Sequence, residues 1–399
     1  MTARRDFDVV IAGGGMVGAA VAALLVTGPA TASLKVALIE PRPALPPRPE
    51  EPLDLRVSAL SRAAQNLLTA VGAWPRVLER QPCAYERMIV WDGAAPVDGP
   101  DTLVFDAADA GEPDLGHIAE NRAVAAALIE RAVAAGVVLL SSPVNGLELA
   151  EDAAWVTLDE RRLAAGLVVA SDGADSKLRG LAAVEGHGTA YPQEAVVGHL
   201  AAAHSHGRAA RQRFLPSGPI ALLPLADGRV SLVWSTTPEQ AAELVAMGED
   251  AFGAAVTRAS DGVLGDLQAM SPRARFPLRR FQADRYVATR LALVGDAAHL
   301  VHPLAGQGVN QGFGDAAALV GEIGVALARG EDFGDPRTLG RYGRARRADN
   351  VLMGAALDGL WHLFADQHAA VRRARRTGLG LVNRVAPLKR LFIARALGA

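Results

Sequence analysis

A single cysteine, Cys83, stands in a chain of 399 residues. One thiol excludes an internal disulfide and any metal site built from several cysteines, so the chain reads as cytosolic. Charge of one sign is lacking too: 41 Lys and Arg face 43 Asp and Glu, a formal net charge of −2. Without a concentrated basic face there is no footprint for nucleic acid, and that partner is not expected. No internal repeat and no long low-complexity segment occurs. No Ser-His-Asp arrangement or paired-carboxylate constellation stands out either. What is present is small and apolar. Half of the residues are hydrophobic and much of that is alanine, which points to a helix-rich, finely packed interior. The length corresponds to roughly two to three domains.

One run imitates a targeting segment. Arg4 and Arg5 precede a stretch from Val9 to Leu34 that carries no charge. Asp6 and Asp8 interrupt the basic flank, and five glycines and a proline weaken any spanning helix. The stretch divides better into strand, glycine turn, helix, turn and strand.

DFDVVIAGGGMVGAAVAALLV therefore reads as a buried strand, a tight turn and a helix, and SLKVALIE as the next strand, a βαβ unit. The proline-rich run 41–52 is a loop. SALSRAAQNLLTAVGAW has helical period, and ENRAVAAALIERAVAAG predicts a helix with Asn121 as its N-cap. GVVLLSS, AWVTLD and GLVVASD predict strands. From about 190 to 285 the texture changes to antiparallel strands with turns at SGP and ADGR. LALVGD then leads back to a long helix, and the last fifty residues are helical and basic. The expected architecture is α/β, a Rossmann-type domain of discontinuous segments with an inserted β-rich domain and a helical tail. Residues 1–180 form its first part, with a small β excursion near 83–106 belonging to the inserted side. Residues 181–285 form the β-rich domain, 286–345 the second Rossmann part, and 346–399 the basic helical region.

Three strand ends carry ligand signals. Gly13, Gly15 and Gly18 form G-x-G-x-x-G, in which a tight turn, a close backbone approach and a helix N-terminus suit a pyrophosphate. Glu40 follows Gly18 by 22 residues at the end of the next strand, where a carboxylate binds ribose hydroxyls and disfavours a 2′-phosphate; the nucleotide is FAD or NAD. Asp172-Gly173 closes a second strand, an arrangement that by itself is an ordinary turn. Asp296 closes a third, in the crevice where α/β folds bind ligands. After it, Gly306 and Gly308 allow close approach of a flat ligand, and a helix N-terminus points at that ligand with a partial positive charge. His299 and His302 do not read as metal ligands: no third ligand accompanies them, and Pro303 would break a helix presenting both.

Taken together, strand–GxGxxG, strand–DG and strand–GD resemble the FAD-dependent aromatic monooxygenases of the para-hydroxybenzoate hydroxylase type. HPLAGQGVNQG with Asp315 following, GDAAH before it, and RVSALSRAAQNLLTAVGAW, YERMIVWD, LGHIAEN, GPIALLPL, SLVWS and FPL are similar to the ubiquinone-biosynthesis hydroxylases. The resemblance covers nearly the whole chain. It implies FAD as the cofactor, with Gly13, Gly15, Val17, Gly18, Glu40 and Arg42 at the adenosine and pyrophosphate end. It implies Arg56 at the flavin or pyrophosphate, Asn121 or Arg122 on the flavin side, and Asp172 near the pyrophosphate. Gly295 and Asp296 fall to the ribityl chain, and Pro303, Gly306, Gln307, Gly308, Val309 and Asn310 to the isoalloxazine ring. The implied reaction is ring hydroxylation through a flavin C4a-hydroperoxide, with O2 as co-substrate and NAD(P)H or a protein as electron donor. The substrate implied is a prenylated phenol or quinol, and a ubiquinone-biosynthesis complex is an implied partner. No single side chain is expected to be an indispensable acid or base, because the cofactor carries the chemistry. Arg372, Arg373, Arg375, Arg376, Arg384, Lys389 and Arg390 interleave with leucines. Such a stretch can lie on anionic lipid at the inner face of a membrane, or be a solvated helix face or an oligomer contact. The oligomeric state is open.

Overall fold

In the computed structural model, residues 5–159, 161–302, 306–366 and 368–398 are described. The first strand, Phe7–Ala12, is apolar and β-branched, and it lies near the centre of a parallel sheet. Neighbours in that sheet run Leu291–Leu293, Arg162–Ala170, Phe7–Ala12, Val36–Ile39, Val138–Leu140, all parallel. Such strands are covered on both faces and read as unbroken apolar runs. Helices Met16–Thr27, Asn121–Ala134 and Gly308–Ala328 supply much of the covering. Alanine and glycine dominate the first of these, which lets it pack closely on its neighbours, and Ala19 to Ala23 are fully buried.

A second sheet of nine strands holds the apolar core around Val196, Trp234 and Phe252. Its order is His299–Leu300, Ala274–Ala283, Gly186–Ala202, Val230–Thr236, Gly218–Pro224, Ala209–Leu215, Arg87–Asp92, Leu103–Asp106, with Leu267–Ala269 off the path. Arg87–Asp92 joins parallel to Ala209–Leu215, so residues from the first half of the chain complete this sheet. Cys83–Tyr85 instead pairs with Gly116–Glu120, which also pairs with Val57–Ser61 in a small third sheet.

The segment between Leu293 and His299 is the seam. Leu291–Leu293 belongs to the parallel sheet and His299–Leu300 to the nine-stranded one. A short stretch thus crosses from one layer to the other, and Gly295 turns it with φ +58°.

Three helices, Pro336–Ala365, Ala369–Arg384 and Ala386–Leu397, close the chain. Two basic residues of the tail are internal ties. Arg375 is buried, donating to Asp92 at 2.5 Å and to the carbonyls of Leu363, Phe364 and Asp366. Lys389 pairs with Asp109 at 2.6 Å.

Two local expectations are corrected. Glu120, not Asn121, is the N-cap of the helix it precedes, and neither side chain caps it. Asn121 enters the helix because its N–H is already held by the Arg56 carbonyl at 2.9 Å. The long helix begins at Gly308 rather than after the glycines, and Gly312 and Gly314 within it are packing contacts against Val17 and Arg346. A Cβ on Gly312 would stand 2.4 Å from a Val17 methyl.

Candidate functional site

The ends of three parallel strands meet at one place. Gly13 adopts φ +103°, and a Cβ there would lie 2.3 Å from the Ser171 carbonyl oxygen. A Cβ on Gly18 would lie 1.9 Å from the Gly13 oxygen and 2.3 Å from Ser171 Oγ. The Ser171 hydroxyl donates across this contact to the carbonyls of Ala12 and Gly13, both at 2.9 Å. Both glycines are therefore demanded by the protein itself. Gly15 is different: a Cβ there meets nothing within 4 Å. It is the N-cap of Met16–Thr27, with no side chain on its amides, which leaves a cradle of the kind an anion takes at a helix N-terminus.

Glu40 leaves the end of Val36–Ile39 and accepts the Gly14 N–H at 2.7 Å and the Arg42 N–H at 3.0 Å. Each oxygen retains a lone pair for a hydroxyl. Arg42 itself is exposed. Asp172 lies against the glycine turn through its backbone, but its carboxylate is engaged locally: Ser176 Oγ donates to it at 2.5 Å and the Leu178 N–H at 3.0 Å. The turn is tied to the third strand end by Arg179, which donates to the carbonyls of Ala174 at 2.8 Å and Ala297 at 2.9 Å. Its guanidinium lies over the Phe281 ring.

Asp296 faces the open cleft and has no hydrogen-bond partner among the described residues. Water reaches it, yet the walls of the cleft strip enough solvation to raise its carboxyl above the usual range, offset by His299, Arg56 and Arg279. Arg56 is exposed and makes no ion pair among the described residues. Asn121 stands beside it, its Oδ1 buried without a partner. Arg122, by contrast, is engaged by Glu51 and lies 3.8 Å from Glu120. A free carboxylate and a free guanidinium thus lie close enough to influence each other, with an orphaned amide oxygen on the residue that the Arg56 carbonyl holds. These are the groups a dinucleotide with polyol and phosphates would satisfy, so the residues present fit FAD.

The loop that follows is organised from beneath by Asp315, which is fully buried. Its Oδ2 accepts the Gly295 N–H at 3.0 Å and His299 Nε2 at 2.5 Å, and its Oδ1 accepts Arg346 at 2.8 Å and Asn350 at 3.1 Å. Burial opposes its charge, but His299 and Arg346 prevail and hold the carboxyl below its ordinary range. Sequence reasoning placed Asp315 in the motif but missed Arg346 and Asn350, which lie on a later helix with no spacing rule linking them. His299 is therefore one hydrogen-bonded partner of the buried Asp315 carboxylate. Among the described residues no group of three or more candidate ligands could hold a metal.

His302 is buried as well, with Nε2 3.2 Å from Gln193 Oε1 and its ring edge-on to Tyr191. Gln193 also accepts Trp361 Nε1 at 2.9 Å and donates to the Ser217 carbonyl at 2.6 Å. Burial pushes the His302 imidazole down to about 4. Pro303 lies outside the described residues. Gly306 takes φ +60°, and a Cβ there would approach Ala59 to 3.3 Å. Gln307 is the N-cap of the long helix and Gly308 its first residue, open to space within 4 Å. Val309 packs on the main core. Asn310 clamps the loop to the strand Val57–Ser61: Oδ1 accepts the Ser61 N–H at 2.9 Å, and Nδ2 donates to the carbonyls of Ala59 at 2.9 Å and Gly306 at 3.1 Å. The same strand reaches an apolar cluster of Leu53, Tyr85, Ile118, Leu223 and Leu225. A cavity of about 300 Å³ opens there beside Val57 and Ile118.

Comparison with known proteins agrees with this geometry. The FAD binding domain family model matches residues 6–351. Ubiquinone hydroxylase UbiL of Rhodospirillum rubrum is 37% identical over 405 residues, covering 100% of this chain and 91% of the relative. The 3-demethoxyubiquinol 3-hydroxylase of Escherichia coli K12 is 34% identical over 394 residues, 98% of each chain. Among solved structures, p-nitrophenol 4-monooxygenase PnpA of Pseudomonas putida DLL-E4 shares the fold, with TM-score 0.77 at 18% identity over 98% of both chains. The chain belongs to the FAD-dependent ubiquinone-biosynthesis hydroxylases of the FAD binding domain family.

Proposed function

We propose that the chain hydroxylates the aromatic ring of a prenylated phenol or quinol in ubiquinone biosynthesis, using O2 and electrons from NAD(P)H or a protein donor. The observation that carries this is the convergence at the strand ends: the open Gly15 cradle with Asp296 and Arg56, neither paired within the described residues and close enough to influence each other. FAD, when bound, supplies reductive activation of O2 and transfer of one oxygen atom to the ring. The chain's own residues bind and position. Gly13, Gly15, Val17 and Gly18 with Glu40 and Arg42 would hold the adenosine and pyrophosphate end. Arg56, Asn121, Gly295 and Asp296 would hold the ribityl and flavin end, and the loop containing Pro303 with Gly306, Gln307, Gly308, Val309 and Asn310 the ring edge. Asp172 would act through its turn, and Arg122 by fixing the loop at Glu51. Residues 1–180 and 286–345 form the FAD side in this reading, residues 181–285 the substrate side and 346–399 the tail.

The apolar cluster of Leu53, Ile118, Leu223 and Leu225 beside the strand that Asn310 clamps suits the apolar part of such a substrate. The test is turnover under 18O2 with a monoprenylated phenol. One labelled oxygen per hydroxylated product is expected. Product oxidised without label would show an oxidoreductase that inserts no oxygen.

The substrate's tail favours delivery from a membrane surface or within a biosynthetic complex. Among the described residues no helix is long and apolar enough to cross a membrane. Exposed Arg372, Arg373, Arg384 and Arg390 accompany exposed Leu381 and Phe392 on the terminal helices. This pattern suits peripheral binding to anionic lipid. Changing the four exposed arginines to Glu should abolish sedimentation with anionic liposomes while Arg375 and Lys389 keep the helices docked. Unchanged sedimentation would refute the lipid role.

A further inference from the structure

Between the helices Arg62–Ala70, Gly308–Ala328 and Pro336–Ala365 lies a second cavity of about 610 Å³. Asp296, Arg56 and Gly15 do not line it, whereas Gln307 and Asn310 of the flavin loop do, so it adjoins that loop away from the cleft at the strand ends. Gln311 lines it and is only 7% exposed, yet both polar atoms of its carboxamide lack any partner. Both amide atoms therefore depend on whatever fills the cavity for a hydrogen bond. Leu24, Leu67, Phe313 and Met353 give the cavity an apolar wall.

We propose that this cavity is a second, non-reacting binding site for a quinol ring carrying an apolar tail. The choice of ring rests on the substrate class proposed above; the site itself rests on Gln311. Charge narrows the ligand first. Arg346 is the cation in the wall, and it is already taken by Asp315 at 2.8 Å, Asn350 at 3.0 Å and Asp349 at 3.1 Å. Asp349 adds a negative charge of its own. Phosphates, carboxylates and nucleotides are therefore disfavoured, and with Asp349 itself paired to Arg346 the described wall favours a neutral ligand. Hydrogen-bond chemistry narrows it further. A quinol hydroxyl both donates and accepts, so it can satisfy Gln311 Oε1 and Nε2 together; a quinone oxygen only accepts and leaves Oε1 bare. The reduced ring is the preferred form. A tail has an apolar way out past the exposed rim residues Ala63, Ala70 and Ala317.

The site is joined to the flavin loop by one peptide bond. Asn310 precedes Gln311, lines the same cavity and clamps Ser61 and Ala59. A ligand on Gln311 would thus stiffen the loop proposed to hold the flavin ring, and the occupant would sense and modulate that loop without reacting.

The test is anaerobic equilibrium dialysis of FAD-loaded enzyme with decyl-hydroquinone. Two equivalents per wild-type chain are expected. Gln311→Leu, which removes the amide at similar volume, and Ala317→Trp, which fills the mouth from an exposed position, should each weaken one equivalent by about tenfold or more, near 1.4 kcal/mol. FAD content should not change. Decyl-benzoquinone should show the same loss in wild-type enzyme, and NADH should not compete. A single equivalent in the wild type, or two unweakened equivalents in both variants, would overturn the proposal. A retained Gln311-dependent equivalent in an enzyme that incorporates no labelled oxygen would refute the hydroxylase reading alone.

Discussion

The two glycine-bearing loops of the molecule, Gly13–Gly18 and Gly295–Asp315, solve the same problem by different means. The first is held by backbone contact: Gly13 and Gly18 exist because carbonyl oxygens and Ser171 occupy the space a side chain would need. The second is held by charge. Asp315 gathers Gly295, His299, Arg346 and Asn350 around one buried carboxylate. A loop of the first kind announces itself in sequence, since only glycine fits. A loop of the second kind shows its glycines but hides its foundation, because the partners come from elsewhere in the chain.

Breaking each loop at its own foundation gives the largest contrast. Gly18→Val should remove FAD binding and cost more than about 4 kcal/mol, a value reached when backbone is forced apart. Chemical denaturation with flavin absorbance in the purified protein measures both. Asp315→Leu should cost about 3–5 kcal/mol, because it leaves half-buried Arg346 with only the exposed Asp349 as counter-charge and strips His299, Asn350 and the Gly295 N–H of their acceptor. Asp315→Asn should cost less. Equal stability of the Leu variant and wild type would show that the charge cluster does not support the loop.

A smaller effect separates the two histidines. The His302 imidazole sits at about 4 in the folded chain, against about 6.5 unfolded. Between these values the unfolded chain binds the proton and the folded one does not. Stability should therefore be intact above about pH 6.5 and fall as pH drops toward 4, by on the order of 3 kcal/mol in full. In His302→Leu the stability–pH curve should be flatter over that window. An unchanged slope would mean that His302 is not held neutral.

The smallest contrast lies between two neighbouring arginines. Arg56→Ala should weaken FAD by about tenfold, the loss of one charge-assisted contact of about 1.4 kcal/mol. Arg122→Ala should change FAD affinity less, since its guanidinium is already engaged by Glu51. Fluorescence titration of the apoprotein with FAD reads both; a larger loss in the Arg122 variant would reverse their assignment.

How far the sequence reached follows from the same contrast. The parallel strands were legible because they are continuous apolar runs, and the strand–turn–helix at Gly13–Gly18 with Glu40 at the next strand end because the glycines and the carboxylate stand at their expected spacing. The seam was only half legible. Asp296 was found at its strand end, but nothing in the sequence showed that His299–Leu300 pairs into the other sheet. The role of Asn121 was misread as a cap because the Arg56 carbonyl, far upstream, holds its N–H. The two tail residues that look most like part of a basic surface, Arg375 and Lys389, are ion-paired to Asp92 and Asp109 across nearly the whole chain. Long-range pairing of this kind leaves no periodicity to read. Gln311 gave no signal at all, since only the surrounding helices make its amide an orphan.

The central claim is that the early loop binds the adenosine end of FAD and the late loop its flavin end. Calorimetric titration of the apoprotein with ADP and with FAD separates them. Asp296→Leu should lose FAD affinity by about tenfold or more while ADP binds as in the wild type. Glu40→Leu should lose affinity for both. If Asp296→Leu weakens ADP and FAD equally, or weakens neither, the division of labour between the two loops is wrong.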